Sequence, residues 1–398
     1  MKRLFSPKKS ENLLLDLSGS SGPDLDKPVL SVEDFSIVYR SAHGDVKAVD
    51  HVSLELARSE VLGLAGESGS GKSTLAYGAC RLLRSPALIT GGKVTYAGRR
   101  APREGIDITS LNAHELRQLR WKEISIVFQS AMNSLNPVIT VGAQLDDAIK
   151  AHMPLDKHDR HERAGTLMDL AGIPRQRLRS YPHELSGGMR QRVMIAMALA
   201  ADPDIVIMDE PTTALDVVVQ REILTQIIEI KEQLGFAIIF ITHDLSLLLE
   251  LSDRIAIMYG GKLLEIAPTK NLQHKAAHPY TEGLLASFPS LTGPKKALAG
   301  IPGSPPDLRS LPPGCPFFPR CRHAGAACRS VDMLLKNVSK TLEEVHLSAC
   351  PFHPGPGADK RWRAPDMIED VIRIGGGEKT QSDPGYIDSL ETLEKGSI

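Results

Sequence analysis

The octapeptide Gly66-Glu-Ser-Gly-Ser-Gly-Lys-Ser73 constrains this chain more than any other feature. It matches the pattern G-x-x-x-x-G-K-S/T, it follows the apolar run Glu60–Ala65, and a helix is predicted to begin near Lys72. Glycines let the backbone turn tightly, so that several N–H groups can point at phosphate oxygens. The helix N-terminus adds a positive dipole end. In such a loop the lysine reaches the β- and γ-phosphates and the hydroxyl of Ser73 coordinates Mg²⁺, so the segment predicts a nucleotide site.

Strand-like runs alternate with helical stretches from residue 29 to residue 270, which is the pattern of an α/β domain. The runs Ile205–Met208 and Ala237–Ile241 are continuously apolar, as expected for central strands that are covered on both faces. Between about residues 140 and 185 the chain is rich in helix signals and poor in strand signals, and helices are predicted over Ala143–Ala151 and Arg160–Ala171. The sequence therefore predicts an α/β core with a helical insert.

Composition limits the possible partners and the location. The 398 residues include 47 basic and 48 acidic side chains, for a formal net charge of −1. This balance gives no electrostatic reason to expect nucleic acid or an anionic bilayer as the main partner. No apolar run approaches the roughly 18–20 residues that span a bilayer, so we expect a cytosolic chain that reaches a membrane only through partners.

Composition also suggests the domain boundaries. Residues 1–28 and 358–398 are polar, and we expect them to be loose tails. Proline and glycine are frequent between residues 293 and 320 and mark a boundary. We expect a nucleotide-binding domain over 29–270, with its helical subdomain over about 131–186, and a C-terminal domain over 271–357.

Two further segments complete a predicted catalytic site. The apolar strand Ile205–Met208 is followed by Asp209 and Glu210, which suits a strand tip where Asp209 holds a Mg²⁺-bound water and Glu210 polarises the attacking water. Leu185-Ser-Gly-Gly-Met-Arg-Gln191 places a second anion-binding site at a helix N-terminus. One γ-phosphate does not need two such sites, unless one of them acts on the nucleotide of a neighbour.

The segment Leu185–Gln191 resembles the signature motif of ABC ATPases, which in that family lies across a dimer interface on the partner's ATP. Other motifs of the family stand in the expected order along the chain. Gln129 matches the Q-loop, Ala214-Leu-Asp216 matches the D-loop and His243 matches the switch histidine. Tyr39 stands where the family has an aromatic side chain that stacks on adenine. The resemblance covers about residues 29–270.

This resemblance implies a P-loop NTPase fold, with a RecA-like core, a β-subdomain and a helical signature subdomain. It also implies ATP and Mg²⁺ as cofactors, with Ser73, Gln129 and Asp209 at the Mg²⁺. The predicted catalytic residues are Lys72, Gln129, Glu210 and His243. The predicted nucleotide contacts are Tyr39, Gly66, Ser68, Gly69, Ser70, Gly71, Lys72, Ser73, Thr74, Gln129, Asp209, Ser186, Gly187, Gly188, Gln191 and Asp216.

Other stretches resemble one branch of this family, the oligopeptide, dipeptide and nickel importers. They are Met132-Asn-Ser-Leu-Asn-Pro137, Tyr181–Val193, His278-Pro-Tyr-Thr281 and Pro313–Cys321. The resemblance implies a second ATPase subunit, two membrane permease subunits, an extracytoplasmic binding protein and a place on the cytoplasmic face of the membrane. Peptides are the expected cargo, with nickel chelates, opines and oligosaccharides as alternatives. Other possibilities are a non-transport ABC ATPase, an exporter ATPase and a non-catalytic partner subunit.

Four of the five cysteines, Cys315, Cys321, Cys328 and Cys350, cluster late in the chain. Four thiolates can hold a [4Fe–4S] cluster or a tetrahedral Zn²⁺, and the spacing lacks the C-x₂-C element usual for structural zinc. The resemblance to the importer branch implies a [4Fe–4S] cluster, while zinc or unmetallated thiols stay open as alternatives. Cys80 follows the phosphate loop and is expected to be a small core residue.

Overall fold

The computed structural model describes residues 24, 26–129, 134–212, 215–287, 300–339 and 345–350, and the structural statements that follow concern these residues. Several predictions from the sequence fall outside them. These are the tail over 358–398, most of the tail over 1–28, residues 288–299, 340–344 and 351–357 of the C-terminal domain, Met132 and Asn133 in the branch motif and Ala214 in the D-loop.

The described residues form strands that alternate with helices, as the sequence predicts. The strands in chain order are β1 (Leu30–Tyr39), β2 (Val46–Leu56), β3 (Val61–Ala65), β4 (Ala87–Tyr96), β5 (Ile106–Asp107), β6 (Ile124–Val127), β7 (Ile205–Asp209), β8 (Ala237–Ile241), β9 (Arg254–Tyr259), β10 (Lys262–Pro268), β11 (Lys336–Asn337) and β12 (Leu347–Ser348). The helices are α1 (Lys72–Ala79), α2 (Ala113–Leu119), α3 (Val141–His152), α4 (Lys157–Leu170), α5 (Gly187–Ala198), α6 (Val217–Leu234), α7 (Leu245–Leu251), α8 (Thr269–Lys275) and α9 (Pro279–Ala286).

Two sheets organise the part of the chain that the structure describes. A four-stranded antiparallel sheet has the order β2-β1-β4-β5. An eight-stranded sheet has the order β11-β12-β10-β9-β3-β8-β7-β6. In the larger sheet the strands from β9 to β6 are parallel, so the carboxyl ends of β3, β8, β7 and β6 lie at one edge.

The larger sheet is buried on both faces. Along β7 and β8, alternate side chains enter two different hydrophobic clusters. Val206 and Ile238 pack in one cluster with the helical insert, while Ile207 and Ile239 pack in the other with the antiparallel sheet. This arrangement explains why these strands read as continuous apolar runs in the sequence.

The predicted helical insert is formed by α3 and α4, which lie within two or three residues of the helices expected from the sequence. Thr140 and Asp156 cap their N-termini with side-chain oxygens. Among the described residues, no helix is both long enough and apolar enough to cross a lipid bilayer.

The chain after residue 270 continues the larger sheet. Strand β12 pairs with β10 through Glu265↔Ser348 and Ile266↔Leu347, and β11 pairs with β12. The buried ring of Phe317 packs in the same hydrophobic cluster as the helical insert. The residues that were assigned to a C-terminal domain therefore share a sheet and a core with the preceding ATPase region.

Candidate functional site

The phosphate loop lies at the carboxyl end of β3 and requires glycine at two positions. Gly66 has φ +145° and Gly71 has φ +104°. A Cβ atom on Gly66 would lie 2.1 Å from the carbonyl oxygen of Met258, and one on Gly71 would lie 2.2 Å from that of Ala48. Both neighbours are backbone atoms, so no other residue fits these positions without moving the loop.

The side chain of Lys72 lies inside the loop. Its ammonium group donates hydrogen bonds to the carbonyl oxygens of Gly66 at 2.7 Å and Glu67 at 2.9 Å. Burial lowers the pKa of Lys72, and the nearby carboxylates of Glu210, Asp209 and Glu67 oppose this effect. The loop therefore holds the ammonium where the first N–H groups of α1 are also unpaired within the helix, which is an arrangement suited to phosphate.

Asp209 ends the buried strand β7. Its side chain is almost fully buried, and Oδ2 accepts a hydrogen bond from the Tyr77 hydroxyl at 2.6 Å. Burial of Tyr77, together with this hydrogen bond, raises the pKa of its hydroxyl. Tyr77 therefore holds Asp209 in one orientation, a contact that was not predicted from the sequence.

The carboxylate of Glu210, which follows β7, contacts side chains that follow the two neighbouring strands, β6 and β8. Its Oε2 accepts a hydrogen bond from Nε2 of Gln129 at 2.9 Å, and its Oε1 lies 3.0 Å from Nδ1 of His243. Gln129 follows β6, Glu210 follows β7 and His243 follows β8, in the order of the sheet. The three predicted residues are therefore in contact, although they are far apart in the sequence.

These groups line one cavity of about 490 Å³. It brings together most of the predicted nucleotide and catalytic residues on this chain. The predicted residues that line it are Tyr39, Ser68, Gly69, Gly71, Lys72, Ser73, Thr74, Gln129, Asp209, Glu210 and His243. Gly66 and Ser70 belong to the same loop and accept hydrogen bonds from Lys72. Leu308, from the segment after residue 299, also lines the cavity, and the sequence offered no local signal for it.

Tyr39 lies on the wall of this cavity. Its hydroxyl is 3.4 Å from the Thr74 hydroxyl oxygen. Stacking on adenine stays a prediction.

The signature residues are not part of this cavity. Ser186 caps α5 by accepting a hydrogen bond from the Met189 N–H, and Gly187 and Gly188 form the first turn of that helix. Gln191 is buried within α5, and Asp216 caps α6 by accepting from the Val219 N–H. The five residues predicted to contact nucleotide from the signature and D-loop segments therefore lie away from the nucleotide cavity of their own chain.

The four late cysteines influence one another. Burial raises the pKa of Cys315 to about 12, and the charges of the Cys350, Cys321 and Cys328 thiolates act in the same direction. Burial likewise raises the pKa of Cys321 to about 11. The donor type fits a metal group, but in the part of the chain that the structure describes no group of three or more His, Cys, Asp or Glu side chains is arranged to hold a metal ion. The predicted cluster is therefore not confirmed.

Comparisons with known proteins identify the class. A family model described as an ABC transporter matches residues 49–213, and one described as the oligopeptide/dipeptide transporter C-terminal region matches residues 264–328. Among solved structures, a dimeric post-hydrolysis state of the ATP-binding cassette MJ0796 bound to ADP and Pi aligns with a TM-score of 0.52 and 27% identity, covering 60% of this chain and 98% of that one. The fold is that of an ABC-type ATPase, so the predicted P-loop NTPase fold is confirmed.

Curated relatives narrow the class to one family. The chain is 43% identical over 308 residues to the oligopeptide transport ATP-binding protein OppD of Escherichia coli K12, covering 77% of this chain and 89% of that protein. It is 42% identical over 306 residues to the dipeptide transport ATP-binding protein DppD of Bacillus subtilis 168, covering 76% and 89%. The chain belongs to the ATP-binding proteins of the oligopeptide/dipeptide ABC transporter family, as its motifs predicted.

Replacing Glu210 by Gln tests the role of the carboxylate. Because the amide keeps the size of the side chain but cannot act as a base, we expect ATP binding to persist and hydrolysis to fall by on the order of 10²–10⁴-fold. Binding would be measured with a fluorescent ATP analogue on the full chain, and turnover in the assembled transporter. Glu232→Gln, on the exposed face of α6, is the matched control. Normal turnover in Glu210→Gln would exclude Glu210 as the base.

Proposed function

We propose that this chain binds ATP·Mg²⁺, hydrolyses ATP as one half of a nucleotide-sandwich dimer and thereby powers peptide import through partner membrane subunits. The observation that carries the proposal is the contact of Glu210 with Gln129 and His243 at the mouth of the phosphate-loop cavity. It supplies a carboxylate, a polar sensor and an imidazole beside the position that a γ-phosphate would occupy.

In this mechanism each residue has a separate task. Lys72 pairs with the β- and γ-phosphates, and the backbone N–H groups of the loop and of the first turn of α1 surround them. Ser73, Gln129 and Asp209 would hold Mg²⁺, which neutralises charge on the phosphates when it is bound. Tyr77 supports this by fixing the orientation of Asp209.

Glu210 receives the proton of the attacking water. Oε2 of its carboxylate accepts a hydrogen bond from Gln129, and Oε1 lies 3.0 Å from Nδ1 of His243. Gln129 and His243 therefore orient the carboxylate. His243, whose side chain is 70% exposed, can also turn toward the γ-phosphate.

A second subunit would complete the site. Ser186, Gly187 and Gly188 form a helix N-terminus that does not face the chain's own cavity, and such an end binds anions. Val217 and Val218, directly after Asp216, expose apolar side chains, which is typical of a surface that meets a partner. The similar cassette MJ0796 was solved as a dimer. These observations support ATP held between the phosphate loop of one subunit and α5 of the other.

Two substitutions separate the roles of the two segments. Lys72→Ala should abolish binding of a fluorescent ATP analogue to the isolated full chain. Ser186→Glu should leave that binding unchanged, because Ser186 lies outside the chain's own cavity. In the assembled transporter the added charge would repel the partner's γ-phosphate, so hydrolysis should fall by on the order of 10²-fold. Weakened analogue binding by the isolated Ser186→Glu chain would instead place Ser186 at its own site.

Peptide cargo is supported by the relatives, which are named as oligopeptide and dipeptide transport proteins. The match of residues 264–328 to the oligopeptide/dipeptide transporter C-terminal region supports it as well. The same family points to two permease subunits, an extracytoplasmic binding protein and a peripheral position on the cytoplasmic face of the membrane. A second, different ATPase subunit would complete the pair.

Uptake measurements test the cargo. In cells that lack the gene for this chain, uptake of a labelled tripeptide should fall to background, and the wild-type gene should restore it while the Glu210→Gln gene should not. Uptake of Ni²⁺ chelate, an opine and an oligosaccharide would be measured in parallel. Loss of one of these with normal peptide uptake would reassign the cargo, and normal uptake of all four would favour a role outside transport.

We further propose that Cys315, Cys321, Cys328 and Cys350 hold a [4Fe–4S] cluster with a structural or sensing role. Support comes from the number and type of donors and from the mutual effect of the thiolates on the pKa of Cys315. Metal binding would replace the protons that the raised pKa values keep on these thiols.

Metal analysis tests this proposal. Full chain purified without oxygen should contain about four iron atoms and about four sulfide ions and should show a broad absorbance band at about 400 nm. Cys321→Ser should lose iron, whereas Cys80→Ala should keep it, because Cys80 is buried beside the phosphate-loop helix. One zinc ion in place of iron would support the alternative, and the absence of both metals would leave the thiols free.

A further inference from the structure

A bidentate ion pair joins the segment 300–339 to the phosphate loop. Arg320 donates from Nη1 to Oε2 of Glu67 at 2.6 Å and from Nη2 to Oε1 at 3.0 Å. The two residues are 253 positions apart in the sequence. Their side chains are only 8% and 23% exposed. Two parallel bonds between a guanidinium and a carboxylate fix both direction and distance, and limited exposure reduces screening by solvent.

The guanidinium of Arg320 is itself held in place. Arg320 is the last residue of the 3₁₀ turn Phe318–Arg320. Its Nε donates to the carbonyl oxygen of Pro302 at 2.7 Å, and Nη1 also donates to the Tyr259 hydroxyl at 3.1 Å. Because these contacts orient the guanidinium independently of the loop, Arg320 presents a fixed pair of donors to Glu67.

The backbone N–H of Glu67 is also held by a residue from late in the chain. Its N–H donates to the Tyr280 hydroxyl at 2.9 Å. Tyr280 lies in α9 and is fully buried, and its ring packs against Tyr259 and Phe317, with centroids 4.6 and 5.2 Å away. Both the side chain and the amide of Glu67 are therefore fixed by residues beyond position 258.

Glu67 passes this constraint to the catalytic lysine. Its carbonyl oxygen accepts a hydrogen bond from Nζ of Lys72 at 2.9 Å. Glu67 therefore connects Arg320 to Lys72: its carboxylate binds Arg320 and its carbonyl oxygen binds Lys72. Leu308 lines the nucleotide cavity as well, so the segment 300–339 contacts the site at two separate points.

We infer that Arg320 is a positioning residue for ATP binding. By holding Glu67, it keeps the phosphate loop and Lys72 in the conformation that receives the triphosphate, so the segment 300–339 forms part of the nucleotide site. The inference deepens the proposed function and rests on it, because the loop's ligand is the ATP that the chain hydrolyses.

Arg320→Gln should raise the KM for ATP more than it changes kcat. Loss of the guanidinium leaves the Glu67 carboxylate partly buried and unpaired, and ATP must then order the loop when it binds. We expect KM in the assembled transporter, and the Kd of a fluorescent ATP analogue on the full chain, to rise roughly 10- to 100-fold, with kcat within about twofold. Arg320→Lys keeps the charge but loses the two-donor geometry of the guanidinium, so its KM and Kd should lie between those of Arg320→Gln and of wild type.

A double-mutant cycle isolates the pair. Glu67→Gln and the double variant Glu67→Gln/Arg320→Gln should raise Kd no further than Arg320→Gln alone, because each substitution removes the same interaction. Additive increases in Kd would show that the two residues act independently and would overturn the inference.

Arg254→Gln is the matched control. Arg254 forms a similar two-bond pair with Glu60, its side chain is 27% exposed, and the pair lies at the opposite end of β3 from the phosphate loop. Arg254→Gln should lower the free energy of unfolding without raising the Kd of the ATP analogue. An equal rise in Kd in this variant, or reduced kcat with unchanged KM in Arg320→Gln, would indicate general destabilisation and would refute a positioning role. Analogue binding needs no turnover, so failure of hydrolysis in the wild-type chain would count against the proposed function alone.

Discussion

The site depends on the parallel register of β3, β8, β7 and β6. In that register Leu64 and Asp209 both lie opposite Ile241, and Val127 lies opposite Met208, so the residues that follow these strands emerge at one edge of the sheet. The register is fixed by burial on both faces, because a shift of one residue would move every side chain of a strand into the wrong hydrophobic cluster. Catalytic geometry is therefore a consequence of core packing.

The sheet also holds an unfavourable backbone conformation at its edge. Glu210 has φ +45°, a region that non-glycine residues rarely occupy. Its N–H donates to the carbonyl oxygen of Ile241 at 2.8 Å, and its carboxylate is held by Gln129 and His243. Such conformations cost about 1–3 kcal/mol and persist where the surroundings fix them. Here the conformation turns the carboxylate from the end of β7 toward the cavity that Lys72 lines.

The sequence could predict the parts of the site that local patterns encode. The phosphate loop, the strand tips and Glu210 each stand in a short segment whose residue types suit one chemistry, and an α/β fold brings such tips together. Tyr77, Leu308 and the Glu67–Arg320 pair could not be predicted, because their roles arise from tertiary contacts between segments that carry no shared pattern. The four cysteines are the opposite case, since their pattern predicts a metal group while the described geometry does not establish one.

The contacts around the nucleotide cavity are distributed unequally. The side formed by the phosphate loop is tied to the segment 300–339 by Arg320, whereas His243 at the mouth is mostly exposed. In the proposed mechanism the two ATPase subunits open and close during turnover. A phosphate loop that stays ordered when the partner departs is then an advantage, because loss of order would add to the cost of binding the next ATP. Arg320 and Tyr280 supply that order from within the same chain. Arg320 directly precedes Cys321, so the residue that fixes the phosphate loop belongs to the same turn as one of the four cysteines.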